Sequence, residues 1–182
     1  VEAFINRWPH ADTEQHCVAA VRMIFGNLQR AYDDGNDMAA REAMALASFY
    51  AGLAFTKAYV GYVHAFSHKL GGMYGVPHGL ANAITLPYVL DFIKDAPLAR
   101  ERLAKLAVVI GAGSASDAEG VLAQRFIDRV RELNRGVGIP DKVAALKPAD
   151  VPTVARAAMV EAARDYPVPK NMSLGEAETL LQ

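Results

Sequence analysis

The chain has 182 residues, 52% of them apolar, and its 19 basic against 20 acidic residues leave a formal net charge of −1. That length and composition fit one ordinary folded domain with a sizeable core and exclude intrinsic disorder. The charge balance offers no bulk attraction for nucleic acid or for an anionic membrane, and no basic run builds a local patch.

Almost every segment reads as helix. Val1 to Trp8 is a short one, stopped by Pro9. Asp12 with Gln15 has the spacing of a capping box, and Val18, Val21, Phe25 and Leu28 follow at helical intervals. Gly35-Asn36 is a turn, and Asn36 or Asp37 caps the next helix. That helix is expected to run unbroken from about Met38 to about Leu70. Leu46, Phe49, Tyr50 and Leu53 mark its buried face, and its many alanines and glycines suit a central helix enclosed by others.

Leu70 to Gly75 is a glycine-rich break, after which Pro77 fits the first turn of a helix from about His78 to Ile93. Pro87 should kink or break that helix. Helices then follow over Leu98 to Ile110 and, capped by Ser116 with Glu119, over the face Leu122, Phe126, Val130 and Leu133. Asp150 caps Val151 to Ala163, and Ser173 with Glu176 opens a last helix. No alternating strand pattern and no internal repeat occurs. The fold class is all-α, a helical bundle in one domain over residues 1–182.

Cys17 is the only cysteine, so no internal disulfide forms and nothing suggests an oxidising compartment. The first residues lack the basic start and apolar run of a signal peptide, and no stretch approaches the roughly 18 apolar residues of a membrane span. A cytoplasmic protein is expected. Val1 stands where a chain start would have Met, already inside a helical pattern, and Leu180-Leu181-Gln182 follows directly on a helix start. Both ends read as cuts through a longer protein.

The chemically informative stretch is Gly61 to Pro87, which holds three of the five histidines. His64 and His68, four apart on a helix, share a face about 6 Å apart along the axis. The glycine break lets the chain reverse and bring His78 back beside them. Neutral imidazole suits zinc or ferrous iron, and three histidines could supply three ligands. Packed, hydrogen-bonded histidines near glycine are the competing reading. Asp91 is the nearest carboxylate, several turns further on. Lys57, seven residues before His64 on the same continuous helix, is expected about 10 Å from it, lining the approach to the site; a lysine reaching solvent along its stem is the alternative. Gly111-Ala112-Gly113-Ser114 lacks the strand and lysine of a phosphate loop, and His16 beside Cys17 in the chain does not make a reactive thiol.

The text GLAFTKAYVGYVHAFSHKLGGMYGVPHGLANAITLPYVLDF, Gly52 to Phe92, resembles the iron-containing (group III) alcohol dehydrogenases. It carries the family's H-x-x-x-H helix, glycine-rich turn, P-H-G-x-x-N-A and L-P in order. Val1 to Phe4 resembles the residues just after that family's first metal motif, and Gly138-Ile139-Pro140 and Asp165 to Ser173 resemble its C-terminal region.

The resemblance implies the C-terminal helical domain, of the dehydroquinate synthase-like type. It implies His64 and His78 as ligands of Fe2+ (or Zn2+), and His68 as the catalytic histidine beside the nicotinamide of NAD or NADP and the alcohol carbon. It also implies an alcohol or aldehyde substrate, an N-terminal nucleotide-binding domain of the same protein, and a homodimer. The family's D-x-x-x-H, which supplies the other two ligands, is absent from this sequence, as is the nucleotide-binding domain. Thr56 to Tyr59 departs from the small and apolar residues usual there. A zinc-dependent glycerol dehydrogenase or dehydroquinate synthase-like domain and a non-catalytic helical binding module are the alternatives.

Overall fold

A computed structural model describes residues 1–8 and 11–182. Among them the chain forms nine α-helices, one 3-10 turn and no strand. The helices are α1 (Glu2–Ile5), α2 (Ala11–Asp33), α3 (Met38–Ala58), α4 (Tyr62–Tyr74), α5 (His78–Ile93), α6 (Pro97–Val109), α7 (Glu119–Gly136), α8 (Val151–Asp165) and α9 (Leu174–Leu180). α2 packs along α3 and α6 along α7, while α4 lies against both α5 and α8. One apolar cluster joins Phe4, Ile5 and Cys17 to Leu90, Leu103, Leu106, Phe126 and Ile127. A second joins Tyr62, Val63, Phe66 and Val89 to Ala158 and Ala162. α4 and α5 are held by the second cluster and α5 by both, which fixes the segment that carries the histidines.

The helix expected from Met38 to Leu70 is two helices. α3 ends at Ala58, α4 starts at Tyr62, and their axes differ by 106°. Tyr59 takes a positive φ of 62° at the corner. α1 holds the corner from 50-odd residues upstream. The Asn6 amide donates to the carbonyls of Ala58 (3.0 Å) and Val60 (3.1 Å), which the break would otherwise leave unpaired. Glu2 Oε1 accepts from the Val63 N–H (2.8 Å) in the first turn of α4, where a carboxylate meets the positive end of the helix dipole. Gly61 allows this: a Cβ there would lie 2.7 Å from Glu2 Oε1.

The face expected to be buried on α3 is largely the outer one. Leu46, Phe49 and Leu53 are exposed, while Ala40, Ala47 and Ala54, each two turns apart, are buried with Ala58. α3 is therefore not enclosed; its alanine stripe lets α2 pack closely, and the large side chains turn outward.

Two expected caps form: of Asn36 and Asp37 it is Asp37 whose Oδ1 accepts from the Ala40 N–H (3.0 Å), and Ser173 with Glu176 makes a full capping box. Three do not. Asp12 lies inside the first turn of α2, α7 is entered from Ala118 rather than Ser116, and Asp150 turns its carboxylate to the Tyr74 hydroxyl (2.6 Å). Pro9 falls outside the described residues. α4 continues through Gly71 and Gly72, so the break shrinks to Gly75-Val76-Pro77, with Gly75 at φ 66° and Pro77 just ahead of α5. Pro87 leaves α5 unbroken. The carbonyl it orphans, Ala83 four residues back, accepts from Asn134 Nδ2 (2.7 Å) on α7. No single helix among the described residues is long and apolar enough to cross a membrane.

Gly61→Ala is expected to destabilise the fold by about 1–3 kcal/mol, because the new methyl displaces Glu2 from the Val63 N–H. Gly52→Ala, whose methyl meets nothing within 4 Å, should instead stabilise by about 0.5–1 kcal/mol. Urea unfolding of the two variants checks both signs.

Candidate metal centre

His64 is the third residue of α4, His68 follows one turn later on the same face, and His78 is the first residue of α5. The reversal at Gly75 brings the three rings together. Ring centroids are 5.9 Å apart for His64–His68, 5.3 Å for His64–His78 and 5.4 Å for His68–His78, the last pair stacked at 18°. His64 is the least exposed of the three and His68 is well open to solvent.

Two carboxylates that the sequence pattern did not single out hold two of the rings. Glu2 Oε2 lies 2.5 Å from His64 Nδ1. The same Glu2 caps α4, so one buried side chain fixes both the helix start and the ring. A carboxylate at Nδ1 requires the proton there and leaves the lone pair on Nε2. On the other side, Glu161 Oε1 from α8 lies 2.7 Å from His68 Nδ1. Glu161 also accepts from Lys69 Nζ (2.6 Å) and from the Tyr166 hydroxyl (2.5 Å). Burial works to raise the Glu161 pKa, but the hydrogen bonds from Lys69, Tyr166 and His68 outweigh it and bring it from 4.5 down to about 2. Burial first, and then Glu161, push the Tyr166 hydroxyl pKa up.

The free nitrogens of His64 and His78 converge on one group. Asn82 Nδ2 is 2.9 Å from His78 Nε2 and 3.5 Å from His64 Nε2, and Asn82 Oδ1 is buried without a hydrogen-bond partner. Burial first, and then the neighbouring His64 and His68, lower the His78 pKa. Two imidazoles whose Nε2 atoms face one shared amide suit, when unprotonated there, a borderline divalent cation such as Fe2+ or Zn2+. Among the described residues no group of three or more His, Cys, Asp or Glu side chains is arranged to hold a metal. The donors present therefore fit part of a ligand set.

Other sequence-stretch candidates lie elsewhere. Asp91 is engaged by Arg131 and Lys94. Lys57 lies before the 106° corner, so it does not share a face with His64. It is exposed and pairs with Asp12 at 3.8 Å. Cys17 is buried, and desolvation pushes its thiol pKa up, as for an inert core residue. A mainly apolar cavity of about 360 Å³ opens beside His64 and Asn82, between Val1, Glu2, Phe55, Val63 and Leu86.

The model of the Fe-containing alcohol dehydrogenase family, C-terminal, matches residues 1–182. The chain belongs to the iron-containing alcohol dehydrogenase family. It is similar to 1,3-propanediol dehydrogenase of Klebsiella pneumoniae, at 38% identity over 161 residues, covering 87% of this chain and 41% of that protein. It is also similar to the NAD-dependent methanol dehydrogenase of Bacillus methanolicus, at 33% identity, covering 80% of this chain and 38% of that one. The fold superposes on an alcohol dehydrogenase from Oenococcus oeni with a TM-score of 0.92 at 30% identity, over 99% of this chain and 47% of that chain. The chain thus corresponds to the all-helical C-terminal domain of such enzymes and spans roughly two fifths of its curated relatives' length.

The low Glu161 pKa has a consequence for stability. A folded-state pKa of about 2 against an ordinary 4.5 makes the ionised carboxylate contribute stability that is present above pH 4.5 and lost as the pH falls toward 2. The integrated contribution is about 3 kcal/mol. Glu161→Gln should therefore unfold more easily than wild type at pH 6, with the gap closing progressively below pH 4.5. Denaturant midpoints at several pH values check this.

Proposed function

We propose that the full-length protein is an NAD(P)-dependent alcohol dehydrogenase in which this domain supplies half of a divalent-metal site through His64 and His78. The observation that carries the reading is that His64 Nε2 and His78 Nε2 both face Asn82 Nδ2, while Glu2 occupies the Nδ1 edge of His64. The two remaining ligands belong to residues outside this sequence, and the cavity beside His64 and Val1 gives them room. Family membership and the names of the relatives support an alcohol as substrate and an aldehyde or ketone as product.

When bound, an iron or zinc ion would act as a Lewis acid toward the alcohol oxygen, and a nicotinamide would take up the hydride. The chain's own residues hold and orient. Glu2 keeps the His64 ring in one tautomer, Asn82 donates to the shared edge, and His68 stands one turn away as the group that exchanges a proton with the alcohol. The outward Phe49, Leu53 and Phe55 on α3 suit cover by the nucleotide-binding half of the same protein. We place the protein in the cytoplasm and expect a homodimer.

The deciding experiment is metal analysis together with NAD(P)-linked alcohol oxidation on the full-length protein. We expect about one Fe2+ or Zn2+ per chain and oxidation of a primary alcohol. His64→Ala and His78→Ala should each lose the metal. His68→Ala should keep the metal and lose about 10²–10⁴-fold in kcat. A fully active protein without bound metal, or one whose metal survives both ligand substitutions, would overturn the assignment.

A further inference from the structure

We propose that Glu161 is the positioning residue of His68, setting its tautomer and ring orientation for proton exchange with the substrate. The inference rests on the dehydrogenase reading above and adds to it a residue from α8, a helix that carries no metal ligand.

Three observations carry it. Glu161 Oε1 lies 2.7 Å from His68 Nδ1, so that nitrogen bears the proton and Nε2 bears the lone pair. Neutral histidine in water has no such constraint. The carboxylate is itself immobilised: Tyr166 donates to Oε1 at 2.5 Å and Lys69 pairs with Oε2 at 2.6 Å, so both oxygens are engaged and the side chain is mostly buried. The ring it holds is otherwise open to solvent and stacks on His78 at 5.4 Å. An exposed imidazole on a helix has several rotamers, and this tether selects the one beside the metal ligands.

The chemistry follows. The proton of the alcohol O–H passes to His68 Nε2, and its bonding pair stays on the oxygen. The resulting imidazolium keeps its Nδ1–H against the Glu161 carboxylate, which stabilises the positive charge without itself becoming protonated. Glu161 remains ionised throughout, held so by Lys69 and Tyr166. Glu2 performs the matching task for His64, so the site has two carboxylate-anchored imidazoles: one for the metal and one for the proton.

The test uses the zinc-loaded full-length protein, labelled with 15N-histidine, in wild type, Glu161→Gln and Glu161→Ala. In wild type the unprotonated-nitrogen resonance of His68 should be Nε2. In Glu161→Ala it should move toward Nδ1, because the free ring prefers its proton on Nε2. Kinetically, both variants should lose on the order of tenfold or more in kcat, with alcohol KM changed less than about twofold and metal content unchanged. Glu161→Gln keeps the shape of the side chain and so separates lost charge from lost packing, even where the alanine variant fails to fold. A His68 tautomer indifferent to both substitutions overturns the proposal. So does unaltered kcat in an active enzyme, or a loss of rate that merely follows loss of metal. A tautomer that shifts in a protein whose wild type oxidises no alcohol sustains the Glu161–His68 coupling and overturns the dehydrogenase reading instead.

Discussion

A carboxylate buried at a helix corner holds this domain's chemistry in place. Glu2 is only 7% exposed, and an unpaired charge at that depth would cost several kcal/mol. Its two oxygens are spent on the Val63 N–H and on His64 Nδ1. The first bond starts α4 at a set point, and the second fixes the ring that α4 carries. Because one side chain does both, the entry angle of the helix and the orientation of the imidazole cannot drift independently. Asn6, a turn further along α1, closes off the end of α3 with two more hydrogen bonds. The 106° corner is thus made by α1, and the absence of a side chain at Gly61 is what lets it in.

The same economy recurs wherever the histidine-bearing helices would otherwise be weak. Pro87 removes a backbone donor from α5, and Asn134 on α7 takes the orphaned Ala83 carbonyl, tying that helix to the α6–α7 pair. Tyr74, at the end of α4, binds Asp150 at the start of α8. Glu161 on α8 returns the connection by reaching His68. α4 is therefore held at its start by α1, along its length by α8 and at its far end by the loop before α8. Side chains on helices braced in this way are kept within narrow limits that a loop would not provide.

Much of this was legible in the sequence. Helical spacing of apolar residues gave the all-α class and the extents of α5 and α8 to within a residue or two, while cap chemistry gave Ser173 for α9 and narrowed the α3 cap to Asn36 or Asp37, of which the fold uses Asp37. The H-x-x-x-H spacing and the glycine break gave the gathering of His64, His68 and His78, since both depend only on helix geometry and a local reversal. Those features are short-range, and a linear pattern records them. The outward face of α3 differs from the sequence expectation for a related reason: periodicity shows that Leu46, Phe49 and Leu53 share a face, but not which face meets α2. The alanines Ala40, Ala47 and Ala54 share a face as well, and close backbone approach decided for them.

What only the tertiary structure decided involves partners distant in the chain. The corner at Tyr59–Gly61 falls inside an apparently continuous apolar pattern, and the carboxylate that stabilises it is 61 residues away. Lys57 lost its place beside His64 through that corner, and Asp91 found Arg131 and Lys94 instead of the histidines. Glu161, 93 residues from His68, has no local signature at all. The sequence by itself determined which imidazoles gather, because their spacing along one helix and across one turn is covalent. The fold decided which nitrogen each of the two anchored rings presents, because a tautomer is set by whatever acceptor packing brings to the opposite edge of the ring.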